Sequence, residues 1–294
     1  MLFISIKTQM KVYFKSKEFK CAMIIMLFYA CGAFVFTISE FWGTDISLIK
    51  DANQSIGFSQ LNRLWFFFSM IYPFVIVLPC ATSYVSDYQN QLIPIYMSRT
   101  SRKLYYLSKV LSCFLGTVVV ILVPFLLNMI LCNIFFPHNC NTWLGEYQTG
   151  NYYRQLLGSN TLYITDYPKF QMLRLYLFSP LLYNLYFLFS LSLLSGLLSS
   201  LVMCISFIYK KRKLVLFVPL FVLLRGLSTY DTYRFSVALD TGRPYTNFDI
   251  LSYVVPTLTK GHSPKLFFFE LIIIVAAIVV LSIVGIKNDI RDCQ

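Results

Sequence analysis

Continuous apolar runs dominate the chain. They cover 21–39, 64–84, 107–136, roughly 175–209, 214–230 and 266–286. A helix needs about 20 such residues to cross about 30 Å of hydrocarbon. Every run but the fifth meets that length, and the third and fourth exceed it, so those two are expected to tilt or project. The fifth carries Pro219, Arg225 and Gly226 and is the one expected to break before the far surface. Residues 1–20 have another rhythm. Phe3, Ile6, Met10 and Phe14 share one helical face, and Lys7, Lys11 and Lys15 another. Such a helix lies in the membrane interface. The pattern predicts an all-α integral membrane protein: one transmembrane domain over 1–294, six spans and an N-terminal amphipathic interfacial helix.

Composition excludes the other classes. Of 294 residues, 57% are hydrophobic and 13% charged, and mean hydropathy is +0.64. Soluble domains are nearer a quarter charged. Barrel strands would alternate apolar and polar positions rather than run continuously apolar.

The net charge of +12 gains meaning from its placement. With six spans, both termini share a side with 85–109 and 210–213. That side holds 15 Lys and Arg against four acids, a net +11; the other holds 9 against eight, a net +1. Arg225 and Glu270 lie inside spans and complete the totals of 25 and 13. Positive charge marks the cytoplasmic side, so both termini are expected inside. The cations are thereby accounted for by orientation, and nucleic acid is not an expected partner. Membrane lipids are.

Eight cysteines show no CxxC spacing, so neither a zinc site nor a disulfide framework is implied. His138 and His262 fall in outer segments and form no HExxH. Neither they nor any span supplies the Ser–His or Glu–His pairs of intramembrane proteases, so no enzymatic activity is expected. The twelve glycines include no GxxxxGK[ST] and no GxGxxG. Any ATP used must be bound, with magnesium, by a separate chain; no cofactor is expected here.

The most specific stretch is 82–111, TSYVSDYQNQLIPIYMSRTSRKLYYLSKVL, between spans two and three. A short helix with one carboxylate and a cation cluster outside the bilayer suits docking in the groove of a soluble partner. The plainer reading is a basic loop. Asp87, then Leu92 through Met97, then the basic step SRTSRK at 98–103, then Ser108-Lys109 entering the third span, form a recognisable order. In this the chain resembles the permease subunits of ABC-2-type exporters, although QNQ at 89–91 replaces that family's second acid and glycine. The resemblance implies a coupling loop over 85–105, with Asp87 opening a helix and Leu92, Arg99, Arg102 and Lys103 contacting the ATPase. It also implies cytoplasmic ATP-binding cassette subunits, a second permease copy or paralogue, and a re-entrant piece near 247–260 before the last span.

Within the spans, intramembrane charges and amides are candidates for a translocation path. Arg225 and Glu270 either pair, line an outer vestibule or snorkel outward. Asn128, Asn184 and the serines of SLSLLSGLLSS at 190–200 either pack helices together or meet substrate. The tyrosines of 137–174 fit an interfacial aromatic belt. The reading is an exporter subunit in a cell membrane, in a chain whose Phe, Ile, Tyr and Lys usage hints at an AT-rich bacterium. Its cargo is an amphipathic peptide, lipid-like molecule or drug. The alternatives are a membrane scaffold or sensor, and a secondary transporter.

Overall fold

The computed structural model describes residues 2–43, 52–53, 55–59, 62–79, 81–99, 101–137, 169–170, 172–210, 212–241, 245–256, 258–259 and 263–291. His138, Cys140, His262 and the tyrosines between 147 and 167 lie outside the described residues.

Among the described residues the regular structure is helical apart from one two-residue strand pairing. The interfacial stretch and the first span are separate helices. α1, Leu2–Lys15, ends at Ser16, whose side chain accepts from Phe19 N–H and caps α2, Lys17–Glu40. The third apolar run is α6, Arg102–Phe135. At 1.5 Å per residue its 34 residues reach about 50 Å, well beyond the hydrocarbon. The fourth run divides at Ser179-Pro180 into α7, Leu173–Phe178, and α8, Pro180–Ile208. The fifth becomes α9, Phe217–Thr241, after a 3-10 turn at Lys213–Leu216. The expected break does not occur. Pro219 falls in the first turn, where a missing N–H is harmless, and Gly226 meets only open space. The last run is α10, Pro264–Arg291.

Among the described residues, five helices are therefore long and apolar enough to cross a membrane: α2, α6, α8, Lys213–Ala238 and Pro264–Lys287. The second run differs. Its helix α3, Trp65–Val77, has 13 residues and spans only about 20 Å. The chain then turns and resumes as α4, Ser83–Gln89, and α5, Ile93–Arg99. Pro79 explains the stop, since it has no N–H to offer the carbonyl of Val75. The next carbonyl, of Ile76, accepts instead from Ser199 Oγ at 2.9 Å.

α8 is the central element. Its most apolar stretch is 72% buried, against 6% for that of α10. It packs on α6 through small residues: a methyl on Gly196 would come 2.7 Å from the Phe114 ring. Hydroxyls satisfy one another along this seam. Thr117 Oγ1 donates to Ser199 Oγ at 2.9 Å, and Tyr72 Oη shares a hydrogen bond with Ser195 Oγ at 2.9 Å. Ser195, Ser199 and Ser200 thus bond across helices, while Ser190 and Ser192 bond back to carbonyls of α8 itself. Two shallow grooves, one lined by Val123, Leu127 and Ile130 and one by Phe268, Ile272 and Val275, are apolar throughout, as lipid-facing surfaces are.

Between α2 and α3 the polar sequence suggests an outer loop. Ala52 and the 55–59 stretch are instead buried among the helices, while Arg63 stays exposed. On the same side, between α9 and α10, a 3-10 turn at Ile250–Tyr253 is buried too, and Leu258–Thr259 pairs antiparallel with Lys169–Phe170.

Candidate functional site

Three helices converge on one ion pair. In α4, Ser83 and Asp87 are four residues apart and share a face. In α6, Tyr105, Ser108, Lys109 and Ser112 recur at helical spacing on the side facing α4 and α1. Lys109 Nζ lies 2.6 Å from Asp87 Oδ2, with the two side chains 2% and 13% exposed. Tyr105 donates its hydroxyl to the same oxygen at 3.0 Å, and Lys109 also reaches Ser83 Oγ at 3.4 Å. The ammonium sits 5.2 Å from the ring centre of Tyr13 and 5.9 Å from that of Tyr105, a cation–π arrangement. Tyr13 belongs to α1, and its hydroxyl accepts from Ser83 Oγ at 3.1 Å. Ser5 Oγ donates to Ser108 Oγ at 3.0 Å and Ser112 Oγ to the Ile6 carbonyl at 3.5 Å. The face of α1 that packs is therefore Ser5, Ile6, Gln9 and Tyr13. Phe3 and Phe14 remain exposed beside Lys7 and Lys11.

Asp87 lies in the last turn of α4 and faces inward, rather than opening a helix. Immediately after α4 the chain reverses. Leu92 N–H bonds to the Asp87 carbonyl at 2.9 Å and Gln91 N–H to that of Tyr88 at 3.1 Å. Gln91 takes φ +55°, the left-handed cap position that glycine fills most cheaply. Leu92 thus closes the cap on α4. α5 then lies on α6: Ile93 is buried and Tyr96 stacks on Tyr105, with centroids 5.7 Å apart. Ile95 stays exposed, and Arg99 is the last residue of α5. Arg102 and Lys103 are exposed on the first turn of α6. Cations there oppose the helix dipole, and neither has an ion-pair partner among the described residues.

The intramembrane candidates separate into two groups. Asn128 and Asn184 both hold the buried 52–59 segment. Gly57 N–H donates to Asn128 Oδ1 at 2.9 Å while Asn128 Nδ2 donates to the Ala30 carbonyl at 2.7 Å; Asn184 Nδ2 donates to the Asn53 carbonyl at 3.1 Å. Arg225 and Glu270 do not pair with each other. Arg225 donates to Ser69 Oγ at 3.0 Å and stands over Phe66, leaving Nε buried without a hydrogen-bond partner; Oε2 of Glu270 is likewise unmet. Beyond them, Asp231 accepts from Tyr245 Oη and from Phe248 N–H. Asp249 caps the 3-10 turn through Leu251 N–H at 3.1 Å. Burial, reinforced by the Asp231 charge, pushes its carboxyl up to about 6 against the opposing pull of Leu251 N–H and Arg225. Among the described residues no three His, Cys, Asp or Glu side chains converge where a metal ion would sit.

Compared with known proteins, the chain matches no family model, no curated protein and no solved structure. Sequence reasoning singled out Asp87 and Lys109 but not their contact, nor Tyr13 and Ser83 around it. One signal was available: a lysine at the mouth of an apolar run needs a buried partner, and Asp87 is the nearest acid.

Proposed function

We propose that the chain is the membrane-spanning subunit of an ABC-2-type exporter in a bacterial cell membrane. It moves an amphipathic substrate outward using ATP hydrolysed by a separate ATPase and works beside a second permease copy or paralogue. In this reading α3 and α4 together make one crossing, for six in all. Both termini are cytoplasmic, and α1 lies in the interface with Phe3 and Phe14 towards lipid and its lysines towards water.

The observation that carries the reading is the Asp87–Lys109 contact. It ties α4 to the root of α6, and Tyr13 and Ser5 tie α1 to the same place. α5 rests on that block and presents Ile95, while Arg102 and Lys103 stand unneutralised beside it. A force applied at α5 by a soluble partner would be transmitted to α6 and, through α4, to α3. Asp87 then keeps the lever rigid, and Leu92, Arg99, Arg102 and Lys103 form its outer contact.

The test is purification from native membranes. The protein alone should hydrolyse no ATP and should co-purify with a cytoplasmic ATPase. Ile95→Glu, which leaves every topogenic cation in place, should lower recovery of that ATPase at least tenfold while the protein still inserts. Isolation as a lone chain with no ATPase, wild type and variant alike, would sink the proposal.

A further inference from the structure

Glu18 Oε1 and Lys213 Nζ lie 3.6 Å apart, with side chains 41% and 36% exposed. Glu18 is the second residue of α2, and Lys213 opens the 3-10 turn that leads into α9. The contact therefore sets the beginnings of two membrane helices side by side at one surface of the bilayer. An exposed pair of this kind adds little stability. Its interest lies in the cations around it. Lys17 and Lys20 flank Glu18 and are exposed, and so is Arg212 next to Lys213. That is four cations against one acid, a net +3. Among the described residues Lys17, Lys20 and Arg212 have no ion-pair partner.

Below the cations the surface is apolar. On α2, Ile24 and Phe28 follow Lys17 and Lys20 at helical spacing and are 65% and 81% exposed. Leu214 and Val215 are exposed in the same turn as Lys213, and Val218 and Val222 continue that face along α9. Seven residues take α2 from Lys17 to Ile24, about 10 Å, and Val218 lies at a similar depth beyond Lys213. α3 lies against both helices. Phe68 meets Tyr29 of α2 with ring centres 5.3 Å apart, and the exposed Phe74 meets Phe217 and Phe221 of α9 at 5.8 and 5.5 Å. Orientation asks only that cations stand on this side of the membrane. It does not ask two elements far apart in sequence to bring theirs to one seam. Lys17 and Lys20 also stand at the start of α2, where a cation opposes the helix dipole. Like charges crowded there are destabilising unless an anion lies among them.

We propose that the seam between the start of α2 and the Lys213–Leu216 turn is a binding site for an anionic phospholipid. Its phosphodiester sits among Lys17, Lys20 and Arg212, and its acyl chains run along Ile24, Phe28 and Val218. Cations at the water boundary above apolar side chains at hydrocarbon depth complement the two halves of such a molecule, and basic sites between membrane helices recognise anionic headgroups in this way. The lipid bridges two helices that an exposed ion pair joins at this surface. The site requires α2 and α9 to start at the same surface, which the Glu18–Lys213 contact shows, and requires nothing of the exporter reading.

Binding is measured by native mass spectrometry of the full chain in micelles, without ATP or ATPase. The probes are phosphatidylglycerol and phosphatidylcholine with the same acyl chains, added in equal amounts. Wild type should retain phosphatidylglycerol in preference by about tenfold or more. Lys17→Gln/Arg212→Gln takes one cation from each side of the seam and should abolish most of that preference. Arg102→Gln/Lys103→Gln removes the same charge at the start of α6 and should preserve it. No preference in wild type overturns the site. Equal loss in the two variants overturns it as well, by showing only a general attraction of a basic protein for anionic lipid. Glu18→Gln keeps every cation, removes an exposed pair and should raise the preference severalfold. Should Lys17→Gln/Arg212→Gln not insert, Glu18→Gln decides, and an unchanged preference there overturns the site. Soluble glycerol phosphate offers the headgroup without acyl chains; displacement of the lipid by it would overturn the lipid in favour of a free phosphate ester. Lipid preference in a chain that recruits no ATPase would leave the site standing and remove the exporter reading. An ATPase partner without lipid preference would do the opposite.

Discussion

Lys109 carries its charge into a site where the side chain is 2% exposed, and Asp87 makes that tolerable at 2.6 Å. The pair is not a large net source of stability, because both ions lose water on burial. Removing one partner is another matter, since it strands a buried charge and costs about 3–5 kcal/mol. Asp87→Ala should therefore destabilise strongly, and Asp87→Ala/Lys109→Met should recover most of the loss. Denaturant titration of the micelle-solubilised protein, run as a double-mutant cycle, measures this. Equal destabilisation by single and double variants would show that the contact is weak. Both residues stand out in the sequence, but their pairing does not. Asp87 reads as a carboxylate offered to a partner until the turn at Gln91 and the stacking of Tyr96 on Tyr105 bring α4, α5 and α6 together. Asn128 and Asn184 were equally visible, and their roles equally hidden. They hold a polar segment that composition alone assigns to water.

Helices were legible wherever an apolar run was uninterrupted. The first run, 21–39, became Lys17–Glu40, and the last, 266–286, became Pro264–Arg291. The run at 64–84 misled because hydropathy averages over Pro79 while hydrogen bonding does not. How the elements sit against one another was least legible, and α10 shows why. Few of its side chains are fully buried, and it meets α8 along a seam where Cys204 Sγ and Ser282 Oγ lie 3.2 Å apart. A methyl on Gly285 would come 2.6 Å from Phe207 Cβ, so the seam closes only on glycine. Gly285→Val should force α10 outward at a cost of about 1–3 kcal/mol. The buried Cys204 should then react with a membrane-permeant thiol reagent markedly faster than in wild type. Gly226→Ala in α9 is the matched control: nothing lies within 4 Å, so the added methyl should raise helix stability by about 0.5–1 kcal/mol. Unchanged Cys204 reactivity in Gly285→Val would show that the seam tolerates bulk and does not fix α10.

At the scale of the whole molecule the open quantity is the number of crossings, and α3 decides it. Among the described residues five helices are long enough to cross alone; α3 is not, and in the proposed arrangement α4 completes the distance. The alternatives differ in parity. With α2 running outward, Arg63 is outside in either case, next to Glu40 at 3.2 Å. If α3 and α4 cross together, Lys103 returns to the cytoplasm and six crossings bring Lys287 back there too. If α3 only dips in and returns, Lys103 is outside, every later helix is inverted and Lys287 ends outside. Contacts and charge both favour the first arrangement: Lys109 Nζ lies 5.2 Å from the Tyr13 ring centre, so α2 and α6 begin on the same side. On the proposed cytoplasmic side Glu18 is 3.6 Å from Lys213 and Asp87 is taken by Lys109, so the exposed Lys7, Lys11, Arg102 and Lys103 keep their full positive field. Inverting the later helices would place Arg102 and Lys103 outside, against the positive-inside rule. Single cysteines at Arg63, Lys103 and Lys287, in a chain with Cys21, Cys140 and Cys293 replaced by serine, test this with a membrane-impermeant thiol reagent. Arg63→Cys should label in intact cells, and Lys103→Cys and Lys287→Cys only after permeabilisation. Labelling of both Lys103→Cys and Lys287→Cys in intact cells would reduce the count to five. It would also move α5 to the outer surface, where no cytoplasmic ATPase could reach it.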